Sequence, residues 1–309
     1  MPASNPPELR RRPQRRALEW AAAAIGDGAR VLAARRLRGG SSSAVHALTI
    51  ETATGRRHRL VLRRFVRADW LEREPDLAPR EAAALTLLER SDVPAPRLVA
   101  LDATGAEAGV PAVLMTHLPG RVDLAPADLT AHLRALAELL PRIHSLRGAT
   151  GAVPPYRRYD EAPAVPAGVR DPRVWRTLLA RASATPPDAP SRFIHRDYHP
   201  GNVLWSRSCL TGIVDWVSAS TGPSDVDAGH ARWNLALLHG VRAADEFLAA
   251  WLAAVGRQTH DPYWDVVCLL DAGPTGPLEA WRDAARIDLT AEDLHRRRDE
   301  YARSLAHRL

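Results

Sequence analysis

Lysine is absent from this chain: all 42 basic side chains among its 309 residues are arginine. That excludes Schiff-base chemistry and any phosphate clamp built on an ammonium group. Cysteine is almost as scarce. Cys209 and Cys268 stand far apart without a C-x-x-C spacing, which indicates neither a disulfide framework nor a thiolate zinc site. No apolar run reaches the length of a membrane span, and the opening "MPASNPPELRRRPQRR" has no apolar segment behind its charges. The expectation is a cytoplasmic protein with no membrane partner. Its formal net charge of +6 comes without basic residues interleaved with aromatics, so no nucleic-acid partner is expected either.

What the chain has is apolar material, 46% of its residues, in a length that fits two lobes around a sizeable core. Residues 1–16 read as a disordered basic tail. "RRALEWAAAAIG" reads as a short helix closed by Gly26. From Val31 the period becomes strand-like: "VLAARRL", a glycine/serine loop "GGSSSA", "VHALTIE", a polar turn, then "RRHRLVLRRF". "APREAAALTLLERS" carries an apolar helical stripe that stops before the breaker "VPAPR". The strand-like runs "RLVALD" and "PAVLMTHL" complete an N-terminal lobe, residues 17–117, of antiparallel sheet and one main helix. Residues 118–309 then read as a mainly helical C-lobe. Within it, "ADLTAHLRALAELLPRIHSL" is a helix that Pro141 should kink or deprive of one hydrogen bond. Residues 149–171 read as a long loop, and a helix runs from Pro172 to about Ala182.

The densest chemistry lies in "FIHRDYHPGNVLW". An apolar strand enters at Phe193 and Ile194, Pro200-Gly201 breaks the chain, and another apolar strand leaves at Val203. The polar residues therefore sit on a loop between two buried strands, a rigid mount for a site. Asp197 and Asn202 face one space across the bend. The next strand, "GIVDW", ends on Asp215, which the "SRSCLTG" turn brings alongside. One carboxylate that accepts a proton, beside an amide and a second carboxylate that hold Mg²⁺ through oxygen, is the set phosphoryl transfer requires.

"HRDYHPGN" followed by "IVDW" resembles the catalytic motifs of the aminoglycoside phosphotransferase and choline kinase-like family, small-molecule kinases of the protein-kinase-like fold. The order of the other pieces is similar over residues 31–240: "GGSSSA", "LVLRRF", "PREAAAL", "VPAPR", "LMTHLPG" and "RIHSL". The resemblance implies an α+β, two-lobed fold and transfer of a phosphoryl group from ATP or GTP, with Mg²⁺, to a small-molecule alcohol. It implies that Asp197 is the base, that Asn202 and Asp215 are metal ligands, and that His195 and Asp227 support the catalytic loop, with Asp225 easily confused with Asp227. It places Gly40, Ser41 and Ser42 over the phosphates. Thr116 and Leu118 fall at an adenine-reading hinge, with Met115 behind the base. Glu81 matches the acid that pairs with a phosphate-binding lysine on the third strand, and here the pattern departs, because that position is Arg63. An arginine can clamp phosphate with a planar fork instead of a point charge, but it is not an equivalent replacement.

Plainer readings stand beside these. Arg63 could be an edge-strand cation and Glu81 a first-turn acid favoured by the helix dipole. The tryptophans at 216, 233, 251 and 264 read as core, and His144 and His230 as hydrogen-bonded core residues on helical stripes. Two other functional classes stay open: a catalytically weak nucleotide-binding regulatory protein, on the missing lysine, and a metal-dependent hydrolase, on the "HRDYH" cluster with His199. A polycationic acceptor would call for an acidic pocket, for which Asp261, Asp265 and Asp271 or Glu292 and Asp293 are the clusters. The assembly is expected to be a monomer or homodimer.

Overall fold

Alternation along the third strand decides the N-lobe. The computed structural model describes residues 7–38, 43–159, 163–272, 278–285 and 287–309. In chain order α1 (Pro7–Arg10) and α2 (Arg15–Ala23) lead into β1 (Arg30–Arg36), β2 (Ala44–Glu51) and β3 (Arg57–Arg64). Then come α3 (Ala68–Arg73), α4 (Leu77–Leu88), β4 (Leu98–Asp102) and β5 (Ala112–Thr116). The strands form one five-stranded antiparallel sheet in the order β1-β2-β3-β5-β4. Because side chains alternate across a strand, Leu60 and Leu62 pack with Leu48, Ile50 and Leu114 against Ala17, Trp20 and Ala21 of α2. Val61 and Arg63 take the opposite face, where Val113 and Met115 join the main core. Arg64 points away from Arg63 as the alternation requires, and its guanidinium donates to the Arg11 carbonyl.

That bond, with Leu9 buried at 1% exposure, corrects one expectation: residues 7–16 are not a disordered tail. Leu9 finds a place in the N-lobe core, which the arginine-rich composition around it concealed. The position 39–42 that holds Gly40, Ser41 and Ser42 lies outside the described residues.

The C-lobe begins with β6 (Arg121–Val122) and α5 (Leu129–His144). Asp128 caps α5 by accepting from the Ala131 N–H at 2.9 Å. The helix runs on through Pro141 to His144, with Ser145 N–H donating to the Pro141 carbonyl. α6 (Pro172–Ala182) starts with Asp171 as cap and proline in its first turn. β7 (Ser191–Ile194), β8 (Val203–Ser206), β9 (Cys209–Ile213) and β10 (Ser220–Pro223) follow, then α7 (Asp225–His239), α8 (Val241–Val255), α9 (Tyr263–Asp271), α10 (Leu278–Ala284) and α11 (Ala291–Ala306). α7 packs against α8, α9 and α11. One continuous apolar cluster runs from Phe65 and Met115 in the N-lobe to Trp216, Trp251 and Leu305 in the C-lobe. The four tryptophans read as core are all buried.

The catalytic segment links two small sheets. β7 pairs with β10, whereas β8 pairs with β6 and β9. Arg207 and Ser208, at φ +50° and +62°, form the tight turn of the β8–β9 hairpin. That hairpin carries Asp215 back beside the loop between β7 and β8, as the backbone bond from Val214 N–H to the Asn202 carbonyl at 2.9 Å records.

Candidate active site

Two cavities meet at this loop. The larger, about 390 Å³, opens between the lobes and is lined by Arg63 and Glu81 from the N-lobe, Met115 to Leu118 from the connection, and Asn202 and Asp215 from the C-lobe. The second, about 240 Å³, lies beyond the loop and is lined by Tyr159, Asp197, His199, His230, Trp233 and Asp271 among others. Asn202 joins them: its Nδ2 donates to the Asp197 backbone carbonyl at 2.9 Å and to Asp197 Oδ2 at 3.1 Å.

The loop is held by a single buried carboxylate. Asp227, fully buried, accepts from the backbone N–H of His195 at 2.9 Å, from that of Arg196 at 2.6 Å and from His144 Nε2 at 2.9 Å. Arg196 has φ +67°, a left-handed conformation that costs a non-glycine residue roughly 1 kcal/mol or more; the Asp227 bond is what holds it. His195 faces the Val214 carbonyl with Nε2 at 3.0 Å and the Asp197 N–H with Nδ1. The partners fix the tautomer: Nε2 donates, Nδ1 accepts. Asp225 takes no part, since its carboxylate binds Arg257 and His260.

Asp197 keeps 32% of its side-chain surface exposed. Burial opposes its charge, but His199 and a hydrogen bond from His230 outweigh burial and hold the carboxyl well below the usual range. His230 Nε2 lies 2.9 Å from Asp197 Oδ1 and His199 Nε2 3.8 Å from the same oxygen. His199 Nδ1 accepts from the Gly201 N–H, so this ring caps the short turn Pro200–Asn202, and burial pushes its pKa down to about 4. Among the described residues no group of three or more His, Cys, Asp or Glu side chains could hold a metal.

On the N-lobe side Arg63 is 4% exposed. Its Nε donates to Ser43 Oγ, and its Nη1 lies 2.7 Å from both Glu81 Oε1 and Asp215 Oδ1. Burial works against the guanidinium charge, and the two carboxylates outweigh it. Arg63 is therefore no edge-strand cation, and β3 is an interior strand. Nor is Glu81 a first-turn acid: it is the fifth residue of α4, 1% exposed. Asp215, at φ +67°, starts the turn Trp216–Ser218 that packs on α4.

An Asn amide and an Asp carboxylate on one wall fit a hard cation that keeps most of its ligands as water and phosphate oxygen. With the Asn202 nitrogen turned to Asp197, its amide oxygen is the atom left for such an ion. Of the acids weighed for an acceptor pocket, Asp271 lines the smaller cavity beside Asp197, paired with Arg158 and accepting from the Tyr159 N–H. Asp265 is buried against Arg232 and His260, Asp261 pairs with Arg181, and Asp293 closes the capping box of α11.

Two side chains of the second cavity were not legible as such. His230, read as core, stands three residues after Asp227 on α7, so one helical face presents both to the loop; that spacing was the available signal. Tyr159 comes from the long loop. Its hydroxyl bonds Ser218 Oγ at 3.1 Å, and Arg196 lies 3.7 Å from its ring centre; no periodicity pointed to it.

The two-lobed fold, with one cavity between the lobes and a second in the C-lobe beyond the loop, is that of a protein-kinase-like phosphotransferase. Residues 33–263 match the model of the phosphotransferase enzyme family. The chain belongs to that family. Solved structures of the same fold include a thermostable mutant of aminoglycoside phosphotransferase APH(4)-Ia with ADP and hygromycin B, 13% identical over 90% of this chain and 94% of that one at TM-score 0.59. The GDP complex of aminoglycoside 2'-phosphotransferase-IIIa is 18% identical over 90% and 94%, at TM-score 0.58. Macrolide 2'-phosphotransferase MphH from Brachybacterium faecium is 19% identical over 92% and 95%, at TM-score 0.54. A search of curated protein sequences gives no match.

Proposed function

We propose that the protein transfers the terminal phosphoryl group of ATP or GTP to a hydroxyl of a small molecule, with Mg²⁺. The observation that carries this reading is the Asn202 side chain, which hydrogen-bonds Asp197 in one cavity while lining the other beside Asp215. Asp197 orients the acceptor hydroxyl and takes its proton. Asn202 and Asp215 hold the metal, which when bound neutralises phosphate charge. Arg63, steadied by Glu81, meets the phosphates, and backbone groups at Thr116 and Leu118 read the purine edge in front of Met115. His195 and Asp227 keep the loop in place. Positioning and electrostatics supply most of the rate in such transfers. The solved structures of similar fold that hold ADP with hygromycin B and GDP support a nucleotide and a small-molecule acceptor as the ligands; we assign the nucleotide to the larger cavity and the acceptor to the smaller.

The test is Asp197→Asn, assayed for ADP formation from ATP-Mg²⁺ across a panel of alcohol acceptors, with nucleotide-induced thermal stabilisation measured in parallel. Turnover should fall by roughly 10²- to 10⁴-fold with stabilisation kept; turnover near the wild-type rate would refute the assignment of the base.

One observation favours a second reading, the catalytically weak nucleotide binder: Arg63 Nη1 already occupies Asp215 Oδ1 at 2.7 Å. Nucleotide binding without phosphoryl transfer to any acceptor or to water would select it.

A further inference from the structure

The smaller cavity contains a contact that the proposed transfer does not yet use. His230 Nε2 lies 2.9 Å from Asp197 Oδ1, while Asn202 Nδ2 lies 3.1 Å from Oδ2. Each oxygen of the carboxylate thus has one donor. An imidazole nitrogen without a hydrogen would turn a lone pair on an ionised carboxylate, so Nε2 carries the proton and donates. The two bonds fix the plane of the carboxylate about its last torsion, which is otherwise soft. α7 holds both ends of this arrangement: Asp227 grips the loop backbone at His195 and Arg196, and His230, one helical turn on, grips the side chain.

We propose that His230 is a positioning residue that, through its Nε2–H, fixes the orientation of the Asp197 carboxylate toward the acceptor hydroxyl. The proposal rests on the phosphotransfer reading given above. In the step it serves, the acceptor oxygen forms a bond to the terminal phosphorus and the bond from phosphorus to the bridging oxygen breaks. The nucleoside diphosphate leaves with that electron pair, and the hydroxyl proton passes to Asp197. With Oδ1 held by His230 and Oδ2 by Asn202, the carboxylate meets the acceptor hydroxyl in one fixed plane.

The experiment compares wild type, His230→Gln, His230→Ala and Asp197→Asn by ADP formation from ATP-Mg²⁺, with water or the best acceptor of the panel. Glutamine keeps an N–H donor. The expected result is kcat of His230→Gln within roughly fivefold of wild type. His230→Ala should lose roughly 10- to 100-fold in kcat with nucleotide KM unchanged. A wild-type kcat in His230→Ala, or a His230→Gln as impaired as His230→Ala, would overturn the proposal. A long-range ¹H–¹⁵N spectrum gives a readout independent of turnover: Nε2 of His230 should be the protonated nitrogen in wild type, and Nδ1 protonation alone would contradict the donor assignment. If Asp197→Asn retains turnover, the assignment of the base on which the proposal rests has failed; if Asp197→Asn loses turnover while His230→Ala keeps the wild-type rate, the failure belongs to His230.

Discussion

Arg63 Nη1 lies 2.7 Å from Asp215 Oδ1, joining the third strand of the N-lobe to the start of the turn that follows the last strand of the catalytic hairpin. The same nitrogen meets Glu81 of α4, so one buried cation ties three elements around the larger cavity. Removing one member of such a set leaves uncompensated buried charge, whereas replacing the pair is far less costly. Arg63→Met should destabilise the fold by about 3–5 kcal/mol, and Arg63→Met with Glu81→Met should recover most of that. Urea denaturation checks both, and the double variant should still fail to bind nucleotide. Equal stability of the single and double variants would show that the ion pair is not what Arg63 contributes.

Asp227 provides the second prediction. Asp227→Ala withdraws an acceptor from two buried backbone N–H groups and from His144, and releases Arg196 from its φ of +67°. A loss of about 2–4 kcal/mol is expected, together with a fall in kcat larger than the rise in nucleotide KM, because the loop carries Asp197. Melting curves and steady-state kinetics on the same preparation read both effects.

A third prediction concerns pH. Burial opposes protonation of His260, but Asp265 and hydrogen bonds to Asp225 and Asp265 outweigh it and raise its pKa to about 9. A raised folded-state value means that the stabilisation is fully present below the unfolded pKa near 6.5 and is lost as pH rises through about 9. The shift corresponds to about 3 kcal/mol. The melting temperature should therefore decline between pH 7 and 10, and His260→Ala should be less stable at pH 6 and show a flatter decline. Asp225, held at about 2 by His260 and Arg257 despite burial, acts in the opposite window, its contribution disappearing as pH falls from about 4 toward 2.

Gly120 closes the connection that carries Leu118. Its φ is +108°, and a Cβ there would come within 2.9 Å of the Trp205 carbonyl oxygen. Thr211 Oγ1 donates to the neighbouring Pro119 carbonyl at 2.7 Å, pinning the segment to the β8–β9 hairpin. Gly120→Ala should cost about 1–3 kcal/mol and weaken nucleotide-induced thermal stabilisation, since Gly120 lines the larger cavity. An unchanged melting temperature would mean that the segment can shift.

The legible parts of this molecule were those where chemistry and spacing coincide along the chain. Asp197, Asn202 and Asp215 fall within twenty residues, at strand ends whose apolar runs announce themselves, and β3 was readable because its alternation separates Arg63 from Arg64. What stayed hidden depended on distant segments. The pairing of His230 with Asp197 requires α7 to pass behind the loop, and an isolated helical histidine looks like any other core residue. Tyr159 is aimed by Arg196 and Ser218, neither close to it in sequence. The burial of Leu9 was masked by the arginines beside it. Likewise, the acidic clusters of the C-lobe looked like one pocket lining, yet they split: Asp271 lines the smaller cavity, Asp265 joins a buried ion-pair network, Asp293 closes a cap and Asp261 pairs with Arg181.

The most direct test is crystallographic: the protein with Mn²⁺, as a Mg²⁺ surrogate, and a non-hydrolysable ATP analogue, measured for anomalous scattering. The account predicts a manganese peak in contact with Asn202 Oδ1 and a carboxylate oxygen of Asp215, with the terminal phosphate directed at Asp197. A metal bound away from both side chains, or a nucleotide seated with Asp197 beyond reach of its phosphates, would contradict it.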